Sequence, residues 1–131
     1  MIKQMLEMIE DVDPEDTDKL DEIDVMVHIL KCVPSVQEEI IASDGSIESW
    51  IYYRLKWKDD PAYTRSLDAI KKIQPNGWMI KEYITWVTGE CYIRLSNGLD
   101  GKQLYSKTLP TEELARLHAV LQAIEWERNN G

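Results

Sequence analysis

The chain has 131 residues, of which 44% are hydrophobic and 30% are charged, a composition typical of one ordinary globular domain. Its apolar runs are far shorter than the roughly 20 residues that span a bilayer, and its first residues lack the apolar stretch of a secretory signal. The two cysteines, Cys32 and Cys91, lie far apart, so we expect reduced thiols and a cytoplasmic protein.

The net charge of −9 is concentrated at the start of the chain, where residues 1–24 hold ten acidic residues against Lys3 and Lys19. No run of lysines and arginines is present, which argues against a nucleic-acid or membrane partner unless basic residues converge in space. The acidic segment is interpreted either as a solvated helical face or as a mimic of nucleic acid that enters a basic protein groove. For the second case the predicted partner-binding residues are Asp11, Asp13, Glu15, Asp16, Asp18, Asp21 and Glu22.

Two helices are predicted in this acidic part. The first covers residues 2–10, and the second begins with Asp16 or Thr17 as its cap and runs to about Cys32, with Pro14 between them. Each has an apolar stripe at helical spacing. The stripes are Ile2, Met5, Leu6 and Ile9 in the first helix, and Leu20, Ile23, Val27 and Leu30 in the second.

Strands dominate the middle of the chain. Residues 38–42 and 47–57 flank the turn Ser43–Ser46 and predict a hairpin, and residues 78–87, 91–96 and 102–106 predict a three-stranded meander. In the first meander strand, alternation places Trp78, Ile80, Ile84 and Trp86 on one face.

Two further helices are predicted, one over residues 64–73 and one that starts near Pro110. The predicted fold class is α+β: a twisted, largely antiparallel sheet of about five strands packed with helices as an α/β/α sandwich. Residues 1–17 are predicted to be an acidic helical extension, and residues 18–131 a single sandwich domain.

The middle of the chain carries a pattern seen in a known family. Residues 61–69 (PAYTRSLDA), followed by 75–78 (PNGW), resemble the signature of the phage ABA sandwich domain, a family of small phage proteins. Residues 18–30 are similar to its first helix, and residues 109–124 to its closing helix. Residues 1–17 have no counterpart in that pattern.

The signature residues also have structural interpretations. Tyr63 is expected to hold the loop on the sheet, Thr64 to cap the following helix, and Asp68 to lie in its first turn. Gly77 is expected to supply a positive φ before the strand at Trp78. The helix start, with Arg65, is also a candidate ligand contact.

Catalytic and metal patterns are weak. The string from Asp11 to Glu22 has calcium-loop spacing but carries Asp16 where that loop needs glycine. His28 and Cys32 share a helix face without a second ligand pair, and a Cys91–His118 nucleophile pair has no support from spacing. We therefore predict no metal, no cofactor and no enzymatic activity.

The aromatic content is unusual, with five Trp, six Tyr and no Phe. Trp50, Tyr52 and Arg54 share one strand face, and Tyr83 and Tyr92 are assigned a similar position, so the pattern indicates either packing or a stacking surface. The predicted ligand-binding residues are Trp50, Tyr52, Arg54, Tyr63, Thr64, Arg65, Tyr92 and Arg94.

The resemblance to phage proteins implies a function in blunting host defence by stoichiometric binding. The first hypothesis is sequestration of a cyclic-nucleotide immune signal, with a homo-oligomer as a linked expectation. The second is inhibition of a host defence effector, such as a CRISPR or other nuclease complex, by protein binding or nucleic-acid mimicry. The third is a housekeeping or structural phage protein.

Overall fold

The computed structural model describes residues 2–31, 61–99 and 101–130, and the predicted hairpin over 38–57 lies outside these ranges. The described residues form four helices and one three-stranded antiparallel sheet, so the fold is α+β. The helices are α1 (Ile2–Asp11), α2 (Thr17–Lys31), α3 (Leu67–Ile73) and α4 (Glu112–Asn130). The strands are β1 (Trp78–Thr85), β2 (Cys91–Asn97) and β3 (Gln103–Tyr105), in that spatial order.

The two N-terminal helices form as their apolar spacing predicts. Ile2, Met5 and Ile9 of α1 are buried. A turn follows, in which the backbone N–H of Glu15 donates to the carboxylate of Asp13 at 2.9 Å. Asp16 then caps α2, because its carboxylate accepts from the N–H of Lys19 at 3.2 Å. Of the two caps predicted for this helix, Asp16 and Thr17, the structure shows Asp16.

Helix α4 lies at the centre of the packing and contacts α1, α3, β2 and β3. Its buried face includes Leu114, Leu117 and Leu121, which pack in one core with Ile93 and Leu95 of β2. The buried apolar side chains of α1 and α2 belong to the same core. The acidic start of the chain is therefore packed against the rest of the protein, and its outward face is positioned by that packing.

The predicted start of α3 at Thr64 is wrong. Residues 63–65 form a turn in which the N–H of Arg65 donates to the carbonyl of Ala62 at 3.0 Å. Ser66, in extended conformation, caps the helix by accepting from the N–H of Ala69 at 3.2 Å. The N–H of Thr64 is bound to a side chain of α2 instead, which holds this residue outside the helix. Gly77 has φ 89° as expected, because this turn reverses the chain into β1.

The single alternating face predicted for the first meander strand is also wrong. Ile80 pairs with Leu95, but Glu82 pairs with Arg94, so two residues of β1 oppose one of β2. This bulge moves the later side chains of β1 to the opposite face. Ile80 therefore shares the helix-packed face of the sheet with Leu95, whereas Ile84 pairs with Tyr92 on the outer face. Tyr83 pairs with Ile93, so Tyr83 and Tyr92 do not share a face as predicted.

Candidate functional site: an acidic groove between the first two helices

A groove with a volume of about 460 Å³ runs between α1 and α2. Its floor is apolar, because Ile23 is fully buried, Val12 is 9% exposed and Met8 packs against the core. Polar and charged side chains surround this floor. They are Gln4, Glu7 and Asp11 from α1, Asp13 from the connection, and Asp16 and Lys19 from α2.

The rim of the groove carries a local excess of negative charge. Glu7, Asp11, Asp13 and Asp16 are exposed carboxylates, and Lys19 is the cation among the lining residues. Lys19 forms an exposed ion pair with Glu22 at 3.4 Å, which reduces its effect on the rim. None of the four rim carboxylates forms an ion pair within the described part of the chain. The groove therefore combines an apolar floor with uncompensated acids.

The predicted acidic set divides into three groups. Asp11, Asp13 and Asp16 line the groove. Glu15 and Asp18 are exposed but lie outside its lining. Asp21 and Glu22 are held by ion pairs with Arg65 and Lys19. The arrangement thus singles out three of the seven acids as available groove residues.

Asp24 is a fully buried carboxylate that the site prediction did not include. One of its oxygens accepts from the N–H of Thr64 at 2.8 Å, and the other accepts from Arg65 Nη2 at 2.9 Å. Burial raises the pKa of Asp24 above its usual value, and the hydrogen bonds from Thr64 and Arg65 oppose this rise. Asp24 therefore fixes the turn at residues 63–65 against α2.

Arg65 is occupied by the same network. Its partial burial by itself would lower its pKa, but hydrogen bonds with Asp21 and Asp24 outweigh that effect and raise the pKa. Tyr63 and Thr64 are buried, with 5% and 2% of their surface exposed. The contacts of Thr64 and Arg65 hold the turn in place, so this part of the sequence signature has a structural role, the attachment of the turn to α2.

The remaining predicted ligand residues lie elsewhere. Tyr92 and Arg94 share the outer face of β2, and Arg94 donates to Gln103 Oε1 at 2.8 Å. Burial, followed by the charge of Glu82, raises the pKa of Tyr92. Trp50, Tyr52 and Arg54 lie outside the described residues. The described members of the ligand set thus fall into two separate groups.

The candidate nucleophile pair is not assembled. Cys91 Sγ lies 3.5 Å from Thr85 Oγ1 and 3.6 Å from the carbonyl of Gly89. His118 Nε2 lies 3.3 Å from Glu10 Oε1, and its Nδ1 lies 3.0 Å from Gln122 Nε2. Burial lowers the pKa of His118, and the hydrogen bond with Glu10 opposes that change. Both ring nitrogens thus face partners other than the thiol.

Within residues 2–31, 61–99 and 101–130, no cluster of three or more potential ligands is arranged to hold a metal ion. In the same ranges no helix is long and apolar enough to cross a membrane. Comparison with known proteins finds no match to a family model, to a curated protein or to a solved structure.

Proposed function

We propose that this protein is a non-catalytic binding protein whose acidic groove receives a basic, amphipathic segment of a partner protein. The observation that carries this proposal is the apolar floor beneath a rim of uncompensated carboxylates. An amphipathic helix places apolar anchors in such a floor while its lysines and arginines reach the rim. The anchors supply affinity and the charges supply orientation and association rate.

The groove also has the rigidity that such recognition requires. Met5 and Ile9 of α1 are fully buried, and Leu20 and Ile23 of α2 are at most 2% exposed. The core therefore holds both helices that form the walls of the groove. Glu10 ties α1 to His118 of α4. A preformed groove loses little conformational freedom on binding, which favours affinity.

The resemblance to phage proteins extends the proposal to a biological setting. The expected partner is a host defence effector, such as a CRISPR or other nuclease complex, whose basic nucleic-acid-binding surface would supply the segment that enters the acidic groove. The expected location is the cytoplasm of the infected cell. A sheet of about five strands in an α/β/α sandwich remains part of the same proposal.

The groove can be tested with a synthetic amphipathic peptide of about 18 residues that has leucines on one face and lysines and arginines on the other. We expect saturable binding by calorimetry that weakens about tenfold between about 50 mM and about 300 mM salt. The variant Asp11→Asn/Asp13→Asn/Asp16→Asn should lose most of this binding. Asparagine retains the turn and capping oxygens of Asp13 and Asp16, so the fold should persist.

The matched control is Glu15→Gln/Asp18→Asn/Asp68→Asn, which removes the same number of charges at exposed positions outside the groove. It should bind the peptide as the unmodified protein does at equal salt. Equal weakening by both triple variants would mean that only net charge attracts the peptide. Met8→Ala should weaken binding at high salt as well, because it removes part of the apolar floor.

Sequestration of a cyclic nucleotide is the second candidate function, and the outer face of the sheet favours it. Arg94 lies there beside Tyr105, to which it is paired across strands, and Tyr105 is 53% exposed. The Nε of Arg94 is buried without a hydrogen-bond partner. A base could stack on this aromatic and guanidinium surface. Titration with a panel of cyclic nucleotides should show binding that Arg94→Gln removes, and no binding by any of them would exclude this function.

A further inference from the structure

A small polar cavity lies between the end of α3, the start of β1 and α4. It has a volume of about 220 Å³ and surrounds the turn between α3 and β1. Gln74 is central to it: Gln74 Nε2 donates to the carbonyl of Trp78 at 2.8 Å, and Gln74 Oε1 accepts from Arg116 Nη2 at 3.2 Å. Lys71 and Asn76 also line the cavity. The turn is thus fixed by its own side chains.

Arg116 is a half-buried cation without a carboxylate partner in the described ranges. Its Nε is buried and makes no hydrogen bond. Burial lowers the pKa of Arg116, and only the more distant charge of Glu112 opposes this change. Arg65 provides the contrast, because two carboxylates within hydrogen-bond distance raise its pKa. Arg116 is therefore a desolvated guanidinium whose charge is compensated much less than that of Arg65.

Basic residues from three helices converge around this turn. A second cavity, of about 450 Å³, shares Gln74 and Asn76 with the first and is lined by Lys31, Lys72 and Arg128. The carboxylate that lines it is Glu127, and this group already accepts from Trp78 Nε1 at 2.8 Å. The two cavities form one basic region, although the sequence distributes its cations over nearly 100 residues.

The lysines alone would not indicate a ligand. Lys71 and Lys72 lie in the last turn of α3, where the helix dipole favours cations whatever binds nearby. Arg116 is different, because it comes from α4 and is 42 residues from Gln74 in sequence. Its approach to the turn places a planar, multidentate donor beside Lys71 and the amide of Asn76.

We propose that the cavity lined by Lys71, Gln74, Asn76 and Arg116 is an oxyanion site that binds a phosphate group. Phosphate suits these donors because its several oxygens can accept from the guanidinium, the ammonium and the amide together, whereas a carboxylate offers only two. The second cavity adds cations for a ligand that carries a further phosphate. This inference is independent of the acidic groove and of the function proposed for it.

The test is titration of ¹⁵N-labelled full-length protein with inorganic phosphate and with pyrophosphate, followed by NMR. We expect saturable shifts in the backbone amides of Gln74 and of residues 76–78 and in the Arg116 Nε–H, with pyrophosphate the tighter ligand. Chloride at equal ionic strength should not reproduce these shifts. Adenosine 5′-monophosphate should bind if the natural ligand presents a phosphomonoester, and glutarate should bind at least tenfold more weakly, a difference of about 1.4 kcal/mol.

Three variants locate the site. Arg116→Gln should weaken pyrophosphate binding about tenfold or more, and Arg116→Lys should weaken it less, because the charge remains while the planar fork is lost. Lys3→Gln, which removes an exposed cation outside both cavities, is the control and should leave binding unchanged. Absence of saturable shifts in the unmodified protein would overturn the proposal, as would equal affinity in Arg116→Gln. If the Arg116 variants fail to fold, Lys71→Gln, at an exposed position, replaces them and should weaken pyrophosphate binding.

Discussion

Replacement of Asp24 should destabilise the protein more than replacement of any exposed acid of α2. Asp24→Ala leaves the buried N–H of Thr64 without its acceptor and removes one of the two carboxylates that hold Arg65. Loss of one member of a buried, hydrogen-bonded charge pair costs about 3–5 kcal/mol, but Arg65 is partly exposed and keeps Asp21, so we expect about 3 kcal/mol. For a chain of this length that corresponds to a fall in Tm of roughly 10 °C.

The assay is urea unfolding, with the free energy of unfolding compared at constant m. Asp24→Asn should cost less, about 1–2 kcal/mol, because the amide oxygen can still accept from Thr64. Asp18→Ala is the control on an exposed position of the same helix. A change below about 0.5 kcal/mol in Asp24→Ala, the level of an ordinary surface substitution, would refute the structural role assigned to this carboxylate.

Two further predictions concern α3 and α4. Burial lowers the pKa of His118 in the folded protein, so the unfolded chain binds the proton more readily. The free energy of unfolding should therefore fall as the pH drops below about 6.5, by at most about 1.4 kcal/mol per pH unit. His118→Gln should remove this component from unfolding curves measured between about pH 7.5 and pH 5.5, and an unchanged slope would contradict the assignment. Ser66→Ala should cost about 1 kcal/mol by removing the cap on Ala69 N–H, and normal stability of Ser66→Ala in urea would show that this cap is dispensable.

Hydrophobic spacing was sufficient to predict the helices at both ends of the described chain. The apolar positions of α1, α2 and α4 recur at helical intervals, and a side chain on such a stripe is buried whatever it packs against. The cap of α2 could be narrowed to Asp16 or Thr17 for a similar reason, since the cap acts on a backbone group only three residues away. Local signals of this kind do not depend on the rest of the fold.

The errors arose where a distant residue decides the local structure. Thr64 and Ser66 are equally good caps by sequence, and the choice between them depends on Asp24, which is 40 residues away and takes the N–H of Thr64. The bulge in β1 has no local marker, because Ile80, Lys81 and Glu82 would all continue the strand. Arg65 appeared to be available for phosphate, but its carboxylate partners lie more than 40 residues earlier.

The distribution of charge along α2 shows why composition was misleading about ligands. The helix has 15 residues and is therefore about 22 Å long, with the capping acid Asp16 at its start and Lys31 at its end. The helix dipole favours this arrangement, so the charges stabilise α2 even without a ligand. Lys31 lies in the same basic region as Lys72 and Arg128, whereas Asp16 lines the acidic groove. A net charge near zero over residues 25–131 thus conceals a basic region, and the two ends of one helix present surfaces suited to partners of opposite charge.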